Sequence, residues 1–87
     1  MEIVVFVDSR EFSSEVPQEL SRLGCRVERR FLEVADYVCS DRVGVEKKRD
    51  SDFVSSVIDQ RIWEQLKNLK ENFERPLLII EGRAVSY

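Results

Sequence analysis

Ile3-Val4-Val5-Phe6-Val7-Asp8 sets an unbroken apolar, mostly β-branched run against an abrupt acidic stop. A run so short and so continuously apolar is the pattern of a strand covered on both faces of a largely parallel sheet. Downstream, Val16, Leu20 and Leu23 recur at helical spacing, with Ser13 or Ser14 as N-cap, Pro17 in the first turn and Gly24 as the stop, which predicts a helix packed on that sheet. Cys25 to Phe31 then alternates apolar and polar residues, as a strand with one solvated face does, and is expected beside the first. Asp36 to Lys48 reads as a hairpin, Tyr37-Val38-Cys39 leading to a Ser40-Asp41-Arg42 turn and Val43 to Lys48 returning. A short helix capped by Asp50 or Ser51 runs through Val54, Val57 and Ile58. Asp59 caps a second helix, whose stripe is Ile62, Leu66, Leu69 and Phe73 with Trp63 at its flank. Pro76 closes that helix, Leu77 to Ile80 reads as another buried strand, and Arg83 to Tyr87 forms no recognisable element. Strands alternating with helices, plus one inserted hairpin, predict an α/β fold.

Eighty-seven residues hold one domain at most, so a two-domain enzyme is excluded. The chain is 43 % hydrophobic and 36 % charged, with 3 Gly and 2 Pro, a composition that fits a packed core rather than a linker or a disordered chain. No apolar run approaches the ~20 residues of a membrane span, and the first residues lack the basic front of a signal peptide, so the expected location is intracellular, cytoplasm or nucleoid in a prokaryote and nucleus in a eukaryote. With no His and no Cys-x-x-Cys, a zinc site of the usual kind cannot be assembled, and any metal must sit on oxygen ligands. A formal charge of −3 argues against gripping nucleic acid by bulk positive field, although Arg42 to Arg49 and Arg26, Arg29 and Arg30 are locally basic.

The hairpin carries the chemistry. Side chains alternate along a strand, so Glu46 and Lys48 share a face while Lys47 points away, and Asp36 opens the opposite arm. Two carboxylates with open positions suit Mg²⁺, which keeps waters and substrate phosphate as its other ligands. A lysine beside them supplies positive charge where a phosphoryl oxyanion develops, or activates the attacking water. Asp8, at the carboxyl end of the first strand, lies at the sheet edge where α/β proteins place ligands, and is a candidate third acid. Each residue also has a plainer reading. Arg10 and Glu11 fit a solvated turn, Asp52 fits an acid in a helix first turn, Trp63 fits packing, and Cys25 and Cys39 fit small core residues. Glu81, ending the last strand near the same edge, is a candidate supporting group.

Val7-Asp8-Ser9-Arg10-Glu11, then Leu32-Glu33-Val34-Ala35-Asp36-Tyr37-Val38, then Val45-Glu46-Lys47-Lys48 with Asp52, then Ser56 to Arg61 with Gln65, and finally Leu78-Ile79-Ile80-Glu81-Gly82 arrive in the order and spacing of one family. The chain resembles the nuclease domain of the XPF family of structure-specific DNA endonucleases, including the archaeal helicase-associated nuclease Hef. That resemblance implies a restriction-endonuclease-like α/β fold, a central mixed sheet flanked by helices with an inserted β-hairpin. It also implies Mg²⁺-dependent cleavage of branched, flap or fork DNA in repair or fork processing, with Mn²⁺ as a substitute ion. Asp36 and Glu46 would hold the metal with the Lys47 carbonyl, Lys48 would serve water or phosphate, and Asp8, Arg10 and Glu11 match the first motif. Arg10, Lys47, Arg49, Arg61 and Gln65 are the candidate DNA contacts, with Glu11, Asp52 and Glu81 supporting.

Two residues depart from the family's Gly-Asp and Glu-Arg-Lys pattern. Ala35 stands for the glycine, harmful only if that position needs a positive φ, and Lys47 stands for the arginine, losing a bidentate fork. In this family a helix-hairpin-helix module supplies DNA grip and nuclease domains pair as homodimers or with a related nuclease subunit; this chain carries no such module, so weak DNA affinity is expected. Residues 1–87 are read as one XPF-type nuclease domain whose C-terminal elements are missing. The alternative reading is a non-catalytic scaffold or dimerisation module of a nuclease complex.

Overall fold

A computed structural model describes residues 2–82. The elements run β1 (Val4–Asp8), α1 (Glu15–Arg22), β2 (Arg26–Arg30), β3 (Tyr37–Val38), β4 (Val43–Arg49), α2 (Asp50–Ile58), α3 (Arg61–Asn72) and β5 (Arg75–Glu81). The strands form one mixed sheet in the order β2-β1-β3-β4-β5. β1 is parallel to β2 and antiparallel to β3, β3 and β4 form the expected antiparallel hairpin, and β5 returns parallel to β4. The hairpin turn is pinned by the Ser40 hydroxyl, which accepts from the Arg42 and Val43 N–H groups at 3.1 Å each.

Strand registry sorts the sheet into two faces. Val5, Val7, Tyr37 and Val45 form the buried cluster on one face, against Phe12 and the Val16 and Leu20 side of α1. Burying such side chains is worth roughly 1.5–3 kcal/mol each. The opposite face receives α3 through Ile62 and Leu69, both buried. Gly44 of β4 lies under the Phe73 ring, where any Cβ would intrude on the ring carbons. That close approach lets the C-terminal end of α3 lie on the strand that carries Glu46.

Several local expectations are corrected. Leu77 to Ile80 is an edge strand rather than a buried one, with Leu77, Ile79 and Ile80 about half exposed (50 %, 51 % and 47 %). An apolar run reports what could be covered, and among the described residues this one is only half covered. Pro76 lies inside β5, paired with Gly44, instead of closing α3, which ends at Asn72. Leu23 is the C-cap of α1 and 71 % exposed, because the helix stops one residue before it. Phe31 falls outside β2 and lies exposed beneath Arg10. Ser14 occupies the N-cap position, but its hydroxyl donates to Glu11. Arg49, rather than Asp50 or Ser51, stands at the N-cap of α2. At the start of α3, Gln60 takes the N-cap position with φ +67, while the Asp59 carboxylate still accepts from the Arg61 N–H at 3.1 Å. The reading of Arg83 to Tyr87 lies outside the described residues.

Candidate active site

β3 pairs with β1 through Val7↔Tyr37 and with β4 through Tyr37↔Val45. One step further along all three strands, Asp8, Asp36 and Glu46 fall side by side, on the face opposite the core cluster. The backbone closes this row, Asp8 N–H donating to the Asp36 carbonyl at 2.9 Å and Asp36 N–H to the Val45 carbonyl at 2.8 Å. Lys48 shares the face two residues beyond Glu46. Ala35 turns the chain into β3 with φ +80, the left-handed conformation for which glycine is the natural residue.

The three carboxylates are not equivalent. Asp8 is 1 % exposed, and burial alone would raise its pKa. Arg10 Nε at 2.7 Å, with the Leu32 N–H at 2.9 Å and the Arg10 N–H at 3.3 Å, outweighs that and holds the carboxyl below its ordinary value. Both Asp8 oxygens are thus engaged within the protein. Asp36 and Glu46 are half-buried and shifted upward, Asp36 by burial and by the charges of Glu11 and Asp8, Glu46 by burial and by Asp36. Lys48 pulls both back toward ionisation, which places its ammonium within electrostatic reach of the pair. Asp36 is held in place by the Lys47 N–H, which donates to its Oδ2 at 2.8 Å.

These acids line a cleft of about 350 Å³ with Arg10, Glu11, Glu33, Gln65 and Asn68. Lys48, Arg49, Asp52 and Arg61 border a neighbouring notch with Glu11 and Lys47, so these basic candidates flank the acidic row while Arg10 lines its cleft. Arg61 is paired to Asp59 at 2.7 Å. Asp52 lies exposed in the first turn of α2, an acid at a helix N-terminus. The Lys47 side chain departs to the core face, 14 % exposed, where it pairs with Glu11 and lies 3.7 Å from Glu81. Sequence reasoning missed Glu33 and Asn68 as cleft walls and the Tyr37 hydroxyl as a partner of Glu11 at 2.9 Å. Adjacency of Tyr37 to Asp36 was the available signal for the last.

Whether a divalent ion suits this cleft is answered by the donors present. Besides burial, the Asp36 charge raises the pKa of Glu46, a repulsion that a cation between them would reverse. Gln65 Oε1 is buried without a hydrogen-bond partner, an acceptor suited to a donor such as water on an ion. Among the described residues no three acidic or thiol side chains converge closely enough to cage a metal. The donor set therefore fits Mg²⁺, which takes one or two carboxylates and retains its waters, better than an ion that demands a full protein cage.

A mixed five-stranded sheet with an acidic row across its hairpin defines a restriction-endonuclease-like domain, and comparison with known proteins agrees. Residues 7–87 match the family profile described as the ERCC4 domain, so the chain belongs to that family, as an XPF-type nuclease domain. It is 43 % identical over 82 residues to the 3′-flap repair endonuclease Xpf of Saccharolobus solfataricus, covering 94 % of this chain and 35 % of that protein. It is 49 % identical over 84 residues to a Methanocaldococcus jannaschii protein whose given name places it among ATP-dependent RNA helicases, covering 97 % of this chain and 10 % of the relative. XPF from Aeropyrum pernix superimposes with a TM-score of 0.90 at 42 % identity over 95 % of this chain and 39 % of that one, and has also been solved in complex with DNA. The chain thus spans about a third or less of the two curated relatives.

Proposed function

We propose that this domain performs metal-assisted hydrolysis of phosphodiester bonds in branched, flap or fork DNA, in repair or replication-fork processing. The observation that carries the reading is the convergence of Asp36, Glu46 and the Lys48 charge on one face of the β3–β4 hairpin. Asp36 and Glu46, with the Lys47 carbonyl, would hold Mg²⁺ or Mn²⁺. The ion, when bound, supplies Lewis acidity toward the scissile phosphate and lowers the pKa of a bound water. Lys48 offsets negative charge gathering on the phosphoryl oxygens, and Gln65 presents an acceptor to the water side of the cleft. Asp8 acts by holding Arg10 at the cleft mouth, where its guanidinium meets the DNA backbone. Arg49 and Arg61, around the neighbouring notch, meet adjacent phosphates. The proposed partners are branched or flapped DNA and a second copy or related nuclease subunit, in the cytoplasm, nucleoid or nucleus according to the cell.

A second reading, a non-catalytic scaffold, is favoured by the exposure of Val54, Ile58 and Trp63 on α2 and α3 and of Leu77 and Ile79 on β5. Mn²⁺ titration separates the two. Binding that disappears in Asp36→Ala supports the nuclease, and no binding by the wild type supports the scaffold. Cleavage of flap and fork substrates by the full-length protein completes the test.

A further inference from the structure

Glu11 lies in the β1–α1 connection, where it lines both the cleft of Asp36 and Glu46 and the notch beside Lys48. Its single oxygen Oε1 collects three donors: the Tyr37 hydroxyl at 2.9 Å, the Ser14 hydroxyl at 3.0 Å and the Lys47 ammonium. Two of those donors are chain neighbours of the proposed metal ligands. Tyr37 follows Asp36 on β3 and is 5 % exposed, and Lys47 follows Glu46 on β4. Lys47 also works on the other face, since its N–H donates to Asp36 Oδ2 at 2.8 Å. Glu11 therefore ties together, at the rim of the cleft, the two strands that present the acidic pair.

We propose that Glu11 is a positioning residue, a clamp that acts through Lys47 and Tyr37 to fix the separation of Asp36 and Glu46 for a divalent ion. The inference rests on the reading of that pair as a metal site. It assigns the Lys47 side chain a task other than touching DNA, because an ammonium 14 % exposed and ion-paired to Glu11 presents little to a phosphate. It also accounts for lysine serving at this place. A single ammonium suffices for one carboxylate oxygen, with Glu81 at 3.7 Å as a second, looser partner. Supporting contacts that orient ligands in this way are commonly worth about 10- to 100-fold in metal affinity.

The test measures Asp36-dependent Mn²⁺ binding in the full-length protein, with DNA cleavage kinetics alongside. Glu11→Ala should weaken Mn²⁺ binding about tenfold and lower kcat, leaving KM for DNA within about twofold. If Glu11→Ala fails to fold, Tyr37→Phe, which removes one donor, should still weaken binding about threefold. Mn²⁺ affinity unchanged in Glu11→Ala or, failing that, in Tyr37→Phe, with binding still lost in Asp36→Ala, overturns the clamp and leaves the metal site standing. Wild-type protein that binds no Mn²⁺ at the site, or Asp36→Ala that binds equally well, overturns both.

Discussion

Ala35 is the position at which backbone strain and the candidate site meet, and replacing it by glycine gives a result whose sign depends on one dihedral angle. The residue is buried, 6 % exposed, and holds φ +80 immediately before Asp36. At an ordinary negative φ, Ala→Gly would cost about 0.5–1 kcal/mol in chain entropy and up to ~0.8 kcal/mol for the buried methyl, roughly 1.5 kcal/mol in all. A left-handed alanine carries a penalty of about 1–2 kcal/mol that glycine does not. The terms then nearly cancel, and Ala35→Gly should leave stability unchanged or raise it by about 0.5 kcal/mol. For a domain of this size 1 kcal/mol corresponds to roughly 4–8 °C in Tm, so the melting curve should hold or move up by a few degrees. Ala35→Val supplies the contrast, because a β-branched residue fits this conformation worst and should lower stability well beyond 1 kcal/mol. Thermal and urea unfolding in EDTA read both variants without metal. A fall of about 6 °C or more in Ala35→Gly would refute the argument, since it is what a relaxed alanine with a buried methyl would give.

The acidic pair should make the metal-free protein respond to pH. Asp36 and Glu46 are raised in the fold, chiefly by burial, so above their ordinary pKa values the native state holds protons that the unfolded chain has released, and their contribution falls as pH climbs from about 4. Asp36→Asn should flatten that fall in urea midpoints measured across pH in EDTA. Asp8 and Glu11, both held below their ordinary values, should still lose their contribution on the acid side in the same variant, and an identical slope in both proteins above pH 4 would count against the shifted pair. Gly44→Ala forces a methyl into the Phe73 ring and should cost about 1–3 kcal/mol, partly recovered by Phe73→Leu in a double-mutant cycle; strictly additive effects would mean that the ring does not rest there. Lys48→Ala in the full-length protein should lower kcat on flap DNA by about 10²–10³ with KM little changed, and equal rates would remove the lysine from the mechanism.

How much of this was legible beforehand depended on whether the signal was local. Alternation placed Glu46 and Lys48 together and Lys47 apart, and the turn chemistry around Ser40 located the hairpin, because both follow from backbone geometry over a few residues. The exposure of β5 was not legible, because a strand's apolar run is the same whether or not another layer covers it. The position of Asp8 was legible in its strand, but its commitment to Arg10 and the Leu32 N–H was not. Those donors come from the turn after β1 and from a loop twenty-four residues away, and only the folded chain brings them to one carboxylate. Whether position 35 needed a positive φ was likewise a question of tertiary context. The residue type allowed either answer, and the chain direction into β3 decided it.

The same pairing that builds the site also locks it. Val45 belongs to the core cluster and Glu46 to the acidic row because they sit on alternate faces of one strand, opposite Tyr37 and Asp36. A slip of β4 by a single residue would turn Glu46 toward Val5 and Val7 and present Val45 to the cleft, exchanging a buried valine worth roughly 1.5–3 kcal/mol for a buried carboxylate that costs several more. It would also carry Lys47 to the acidic face and away from Glu11, breaking their ion pair. Selection for a packed core and selection for converging acids therefore act on one register, and a substitution that loosens Val45 is expected to weaken metal binding although it touches no ligand.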